Sequence, residues 1–155
     1  SSLINFDLNN IFVIFTKADR LNKVIKKQVG IDLIENYKRA FNILNLETQQ
    51  QNEDYKGSAD PALFKSNFEK DLFKKIHDVR KIFTSINLEN DYDSQLSILA
   101  SLKKEIESFF DNVIVKDNDE VIKKNRLELL KMLCNTFDKY FNFEKIEFLN
   151  EKTGI

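Results

Sequence analysis

The side chains of this chain that are best suited to chemistry lie in the segment NYKRAFNIL, residues 36–44, and they are Tyr37, Lys38, Arg39 and Asn42. Lysine and arginine donate to phosphate oxygens, and arginine and asparagine also form hydrogen bonds with the edges of bases. A tyrosine can stack on an unpaired base. The group therefore fits contact with a single nucleic-acid strand. A solvated helix face with ordinary ion pairs four residues apart remains the alternative.

A helix must position these residues. Apolar side chains recur at three- and four-residue intervals and predict a helix over about 31–46, with one stripe formed by Ile34, Tyr37, Phe41 and Leu44. At 100° per residue, Arg39 falls on the far side of that helix, with Asn42 and Glu35 within about 60° of it. Tyr37 lies at the edge of the stripe. We therefore expect the polar side chains to project outward.

A second arginine, Arg126, has a different setting. It falls inside the apolar stripe of a predicted helix over 118–141, among Ile122, Leu129, Leu130, Leu133 and Phe137. A buried guanidinium needs a partner, because leaving it unpaired costs considerable free energy. Asp111, in the segment FFDNV before the turn, is the obvious carboxylate. We predict that Asp111 and Arg126 form a structural ion pair, with direct RNA contact as the alternative.

Three lysines of the same predicted helix lie away from its apolar stripe: Lys123, Lys124 and, further on, Lys131. They form a candidate phosphate-facing patch, which would position an RNA strand without specifying its sequence. The alternative is a solvated lysine face.

Groups that perform catalysis are absent from the sequence pattern. We find no nucleophile with a base, no phosphate-binding glycine loop and no spacing of metal ligands, so we predict no catalytic and no metal-binding residues. His77 is flanked by charged residues and reads as a surface histidine. Cys134, the only cysteine, lies near the apolar side of its helix, and we expect an inert buried thiol.

Composition restricts the class of protein. The 155 residues suffice for one domain, and 42% hydrophobic with 32% charged residues is ordinary for a globular protein. The net charge of −1 means that any RNA contact must come from a local patch. A lone cysteine and the lack of an apolar run or leader favour the cytoplasm over a membrane or export. The opening Ser-Ser without Met is expected of a piece of a longer polypeptide.

Few turn residues interrupt the chain. Three Gly and one Pro favour long helices, so we predict an all-α bundle of about five helices, over 8–28, 31–46, 61–83, 91–110 and 118–141. Asp60 before Pro61 is typical of a helix start, and Asp117 with Glu120 resembles a capping box. We expect residues 47–60 to form an exposed loop, 143–149 a short turn on the bundle, and 151–155 a frayed tail.

Two segments carry a family resemblance: NYKRAFNIL and FFDNVIVKDNDEVIKKNRLELL, residues 109–130. In that order they closely resemble the carboxy-terminal region of the beta subunits of bacterial glycyl-tRNA synthetases, an anticodon-binding domain of the DALR type. Lys-Arg with Asn-Ile-Leu, then Phe-Phe-Asp, then Asn-Arg-Leu with Leu-Leu match nearly letter for letter. The chain departs at NVIVKDND, where Met is frequent, and at Lys123, where Arg is common. Arginyl and cysteinyl synthetases share the Lys-Arg helix loosely, and an arginyl-type DALR domain is the alternative within this group.

The resemblance implies a role within glycine–tRNA ligase. In that enzyme the alpha subunit forms glycyl-adenylate and charges tRNA, while the beta subunit holds most of the tRNA. Residues 1–150 would then be a single non-catalytic anticodon-binding domain without its own ATP, glycine, magnesium or other cofactor site. Its implied partners are tRNA-Gly, the alpha subunit and the rest of the beta subunit, and neither DNA nor a membrane.

Two other classes stay open. The chain could be a structural module that docks on the synthetase subunits, which Ile43 and Leu46, off the main stripe of their helix, would serve. It could also be a helical domain of a nucleotide-handling enzyme, although it lacks the spacing of a phosphate or metal site.

Overall fold

A computed structural model of the chain describes residues 28–88 and 91–140, and within them it forms helices and no strand. The helices are α1 (Gln28–Gln51), the short 3-10 helix η1 (Pro61–Leu63), α2 (Asn67–Ser85), α3 (Tyr92–Ala100), α4 (Lys103–Asn112) and α5 (Glu120–Tyr140). The predicted all-α class is confirmed. Nearly all of the predicted first helix and the predicted turn over 143–149 lie outside the described residues. None of the helices in this part of the chain is long and apolar enough to cross a membrane.

Four helices form an up-and-down bundle. α1 and α5 run antiparallel, because Glu47 near the end of α1 pairs with Lys123 near the start of α5 at 3.1 Å. α4 runs parallel to α1, since the early residues Asp32 and Lys103 of the two helices pair at 2.7 Å. Two contacts place α2 parallel to α5: Glu69 with Arg126, and Arg80 with Met132. α3 packs on α1 and α2.

The buried stripe of α1 is offset from the predicted one. Its buried members are Leu33, Tyr37, Ala40, Leu44 and Glu47. Ile34 and Phe41, which we expected at its centre, are only partly buried and pack at its side. Because α4 and α5 both contact α1, the buried face is centred between them. Tyr37 lies on the side of this stripe nearest Ile34 and Phe41, and it is nevertheless buried.

The predicted helix over 61–83 is interrupted at residues 64–66. Asp60 caps η1 as predicted, since its carboxylate accepts from the Ala62 amide at 3.0 Å. A second cap then begins α2, because the Ser66 hydroxyl accepts from the Glu69 amide at 3.4 Å and donates to the Glu69 carboxylate at 3.2 Å. Ser66-x-x-Glu69 has the sequence of a capping box, which we did not predict, although the Glu69 carboxylate accepts from the Lys65 amide, at 3.3 Å, where a capping box has the N-cap amide.

The predicted helix over 91–110 also divides, at Ser101 and Leu102. The Ser101 amide donates to Ser97 and Ile98, at 3.1 and 3.2 Å, which tightens the last turn of α3. Leu102 is fully buried, and its carbonyl accepts from the Ile106 amide at 3.0 Å in the first turn of α4. The junction between α3 and α4 is therefore a change in hydrogen bonding at a buried residue, and both Ser101 and Leu102 keep helical dihedral angles.

The cap of α5 differs from the predicted one. Asp119, rather than Asp117, caps the helix, because its carboxylate accepts from the amides of Val121 and Ile122, at 2.9 and 3.4 Å. Asp117 accepts from the Asp119 amide at 2.9 Å and so shapes the preceding turn. This leaves the second oxygen of Asp117 available for Arg126.

The segment expected as an exposed loop is ordered by α5. α1 continues to Gln51, and after it the Glu128 carboxylate accepts from three successive amides, those of Lys56 at 3.3 Å and of Gly57 and Ser58 at 2.7 Å. Asn125 accepts from the Asp60 amide at 2.7 Å and donates to its carbonyl at 3.0 Å. The expected loop is confirmed for residues 52–60, most of which are exposed, but residues 47–51 belong to α1 and one face of α5 satisfies the loop backbone.

Gly57 is required at the centre of this loop. Its φ is +84°, a left-handed conformation that residues with a Cβ adopt at a cost. A Cβ at this position would also lie 2.8 Å from the Asn135 side-chain nitrogen and 3.3 Å from the Met132 backbone. The loop therefore approaches α5 more closely than any side chain would allow.

We expect Cys134 to resist thiol reagents until the protein unfolds. Burial raises the pKa of its thiol to about 12, so little thiolate exists at neutral pH. In native buffer near pH 8, about the pKa of a free thiol, labelling should be slow, and in denaturant it should be complete. Because Cys134 is the only cysteine, the labelling rate reports folding directly. Rapid labelling of the native protein would contradict its burial.

Candidate functional site

The outward face of α1 carries Lys38, Arg39 and Asn42, and all three side chains are exposed, as their spacing predicted. The guanidinium carbon of Arg39 lies 4.3 Å from the ring centroid of Phe110 on α4. Phe110 is only 9% exposed, so Arg39 covers the one ring face that would otherwise meet solvent. Arg39 is thus held in one orientation while it stays accessible.

Arg39 also has no ion-pair partner in the part of the chain that the structure describes. Among residues 28–88 and 91–140, no carboxylate forms an ion pair with it, whereas most cations of the neighbouring helices have such partners. An exposed guanidinium without a carboxylate partner is free to bind an anion or the acceptor edge of a base. This face is therefore the best-formed candidate site.

Tyr37 does not belong to that face. Only 3% of it is exposed, and its hydroxyl donates to the Asp138 carboxylate of α5 at 2.7 Å. Its ring meets Phe137 edge-on, with centroids 5.8 Å apart. Burial raises the pKa of Asp138, and the Tyr37 hydrogen bond opposes that rise. The predicted stacking of Tyr37 on a base is wrong, since its ring forms part of the α1–α5 contact.

The predicted lysine patch is largely neutralised by carboxylates. The Lys123 ammonium lies 3.1 Å from Glu47, and Lys116 binds the same carboxylate at 3.0 Å. Burial favours the neutral form of Glu47, but the two lysine hydrogen bonds outweigh burial and lower its pKa. Lys124 pairs with Glu53 at 2.6 Å, and Lys131 is half-buried. A single phosphate-facing patch of these three lysines is therefore not present.

Arg126 is buried as predicted, but its partners differ. It contacts Glu69 and Asp117 at 3.1 Å each and donates to the Ile114 carbonyl at 2.7 Å. Asp111, the predicted partner, is exposed. Because Phe109 and Phe110 occupy the inward positions of α4, the next residue must point outward. The structural role of Arg126 stands, and the predicted pairing with Asp111 is corrected.

Sequence analysis missed three buried carboxylates and one aromatic residue that organise the site. Glu69 was recognisable from the Ser-x-x-Glu pattern. Glu47 lies three residues after the buried Leu44 of α1, and Glu128 lies among leucines of α5. The sequence around each carboxylate does not identify the residues that it contacts. Phe110 was read as a core residue, and only the structure shows its contact with Arg39.

Metal or acid–base chemistry has no visible basis in the described part of the chain. No group of His, Cys, Asp and Glu side chains there could hold a metal ion. His77 is exposed and lies against the Phe73 ring, with centroids 4.5 Å apart. Partial burial, with help from Arg80 and Lys81, lowers the pKa of His77. These contacts give His77 no catalytic partner.

Comparison with known proteins agrees with this architecture. The family model of the DALR anticodon binding domain matches residues 33–151. The glycine–tRNA ligase beta subunit of Rickettsia prowazekii (strain Madrid E) is 40% identical over 144 residues, which cover 92% of this chain and 21% of that protein. The beta subunit of Rickettsia bellii (strain OSU 85-389) is 41% identical over 147 residues, 94% of this chain and 21% of its own length.

The chain thus spans about a fifth of the length of these relatives. No solved structure matches it significantly. The family match, however, covers far more than half of the chain and includes every helix that forms the Arg39 face. The chain therefore belongs to the DALR anticodon binding domain family.

Proposed function

We propose that this chain recognises the anticodon of glycine tRNA as the non-catalytic module of a glycine–tRNA ligase beta subunit. Its family and the names of its relatives support this role. We further propose one domain over 1–150 with a tail over 151–155, and ATP and magnesium sites only in the catalytic alpha subunit. The alpha subunit and the remainder of the beta subunit are its proposed partners, in the cytoplasm.

One observation favours the α1 face as the binding surface. Arg39 is exposed, lacks a carboxylate partner among the described residues and is oriented by Phe110, beside Lys38 and Asn42. Glycine codons begin with two guanines, so the cognate anticodon presents two cytosines. Arg39 or Asn42 would donate hydrogen bonds to the acceptor atoms of each cytosine. Asn42 or Glu35 would accept a hydrogen bond from its amino group.

Electrostatics predict that base contacts contribute more than phosphate contacts. The net charge is −1, and the lysines of α5 that could have met phosphates are paired with Glu47 and Glu53. Few counterions are therefore released on binding, and affinity should depend only weakly on salt. Discrimination between anticodons must then come from the small set of groups on α1.

We expect the chain to bind glycine tRNA about 10- to 100-fold more tightly than the same tRNA with both anticodon cytosines replaced, since mismatched contacts typically cost about 1–3 kcal/mol. Arg39→Ala and Asn42→Ala should remove most of that ratio. Affinity is measured by titration at several salt concentrations. Lys70→Ala, which removes an exposed cation from α2, is the matched control and should leave the ratio unchanged.

The outcomes separate the candidate functions. Equal binding of both tRNAs that disappears with salt would reduce the role to phosphate contact. Absence of binding to either tRNA would overturn recognition by this chain alone and favour the docking function. Exposed apolar side chains support that second candidate, since Leu46, Ile114 and Val121 are 49%, 74% and 57% exposed. Their occupant would be the rest of the beta subunit, and self-association of the isolated chain would accompany it.

A further inference from the structure

The Phe110 ring contacts Phe109 and Arg39. Phe109, which is fully buried, meets its ring edge-on, with centroids 5.6 Å apart. Arg39 lies over the same ring at 4.3 Å. The contact between α1 and α4 is further tied by the 2.7 Å ion pair of Asp32 with Lys103. The position of the Phe110 ring is therefore set by contacts within the bundle as well as by Arg39.

A guanidinium on an aromatic ring leaves one planar face available. The guanidinium carbon of Arg39 lies over the Phe110 ring, and the side chain is exposed, so the side of the guanidinium away from the ring is open to solvent. Unpaired bases stack on guanidinium planes as they do on aromatic rings, with little preference among the four bases. Lysine would supply the same charge at this position but no plane.

We infer, building on the proposed function, that an unpaired base of the anticodon loop stacks on the outer face of the Arg39 guanidinium, with Phe110 as the positioning residue beneath it. The three planes then form a sandwich of base, guanidinium and phenyl ring. Stacking supplies affinity, whereas hydrogen bonds from the Arg39 edge and Asn42 supply the choice of base. Phe110 acts only through Arg39, because Arg39 covers its ring.

This arrangement predicts how four proteins bind glycine tRNA: native, Phe110→Leu, Arg39→Lys and the double variant. Leucine keeps an apolar side chain at position 110 but removes the ring face. We expect each single variant to bind about 5- to 10-fold more weakly, the lower part of the range by which loss of one base-stacking contact weakens binding. The double variant should lose no more than the larger single loss, because residues in contact are non-additive.

The controls address folding and chemistry separately. Phe110→Tyr keeps the ring and should bind like the native chain, and protection of Cys134 from thiol reagents monitors folding in every variant. Native affinity of Phe110→Leu, or additive losses in the double variant, would overturn the role of Phe110. Native affinity of Arg39→Lys would show that Arg39 meets a phosphate rather than a base, and would overturn the stacking.

A direct measurement keeps the inference testable if Phe110→Leu does not fold. Aromatic ring currents shift protons above a ring upfield, so the Arg39 side-chain protons of the native chain should resonate upfield by nuclear magnetic resonance. Adding glycine tRNA should shift them further if a base stacks on the outer face, and their remaining unshifted would contradict stacking. If the native chain binds no tRNA, the proposed function fails first. Binding without these effects overturns the stacking alone.

Discussion

Replacing Arg126 with Met is expected to lower the free energy of unfolding by about 3–5 kcal/mol, the usual effect of removing one partner of a buried ion pair. Glu69 is fully buried and would lose its ion pair with Arg126, while the Ile114 carbonyl would lose the hydrogen bond from Arg126. The measurement is chemical denaturation with a thermal melt. Affinity for glycine tRNA, measured on the folded fraction, should change little, because Arg126 is not on the α1 face.

Two variants make this prediction specific. Lys74→Met removes a lysine that pairs with Asp78 at 2.7 Å on the exposed side of α2, and such exposed pairs barely affect stability. Glu69→Met together with Arg126→Met removes both buried charges and should recover much of the loss. If Arg126→Met is as harmless as Lys74→Met, or weakens tRNA binding without lowering the melting temperature, the structural role of Arg126 is refuted.

The prediction for Arg126 was correct about its burial and wrong about its partner, and this difference shows what helical periodicity can predict. Spacing within one helix identified the buried guanidinium correctly, because the apolar stripe of α5 is a local property. Its main partner, Glu69, is 57 residues away on α2, and no local pattern specifies which helix lies opposite. The nearest carboxylate in sequence, Asp111, was therefore a reasonable and wrong choice. Helix class and outward residues are thus predictable, whereas contacts across the bundle are not.

The same limit explains Tyr37 and the two divided helices. The predicted stripe of α1 is rotated by about 60° from the observed one, and Tyr37 belongs to both, so spacing alone did not show that its whole ring is buried. The division at Ser101 was not predictable in the same way, because Ser101 and Leu102 keep helical dihedral angles and no turn residue marks the break. The break before Asn67 was predictable in principle, since Ser66-x-x-Glu69 is a local signal.

The candidate site depends on these long-range contacts. α1 is held by the Tyr37 hydrogen bond to Asp138, by the Glu47 pairs with Lys116 and Lys123, and by the ion pair of Asp32 with Lys103. These contacts occur at the start, middle and end of the helix, so α1 cannot easily rotate. Arg39 and Asn42 are consequently presented in a fixed register. Lys123, which first suggested an RNA surface, instead pairs with Glu47 and so helps to hold α1, which carries the proposed binding face.

Glu128→Ala should lower the free energy of unfolding by about 2–4 kcal/mol, since hydrogen bonds to charged groups contribute about 1.5–3 kcal/mol each. Among the changes predicted here, only Arg126→Met is expected to destabilise the protein more. Three amides lose their acceptor in this variant. The amides of Lys56 and Ser58 belong to exposed residues and can donate to water instead, which limits the loss of stability. Denaturation measures the global effect. Trypsin cleavage after Lys56 measures the local one, and it should become faster than in the native chain.

Matched variants separate the charge of Glu128 from its shape. Glu128→Gln keeps one carbonyl oxygen, which can still accept from Gly57 and Ser58, and it should lose about half as much stability as Glu128→Ala. Glu53→Ala removes a carboxylate of the same loop whose lysine partner is exposed, and it should have little effect. If Glu128→Ala and Glu53→Ala behave alike in both assays, α5 does not hold the loop, because a carboxylate that orders three amides must contribute more than one that meets a solvated lysine.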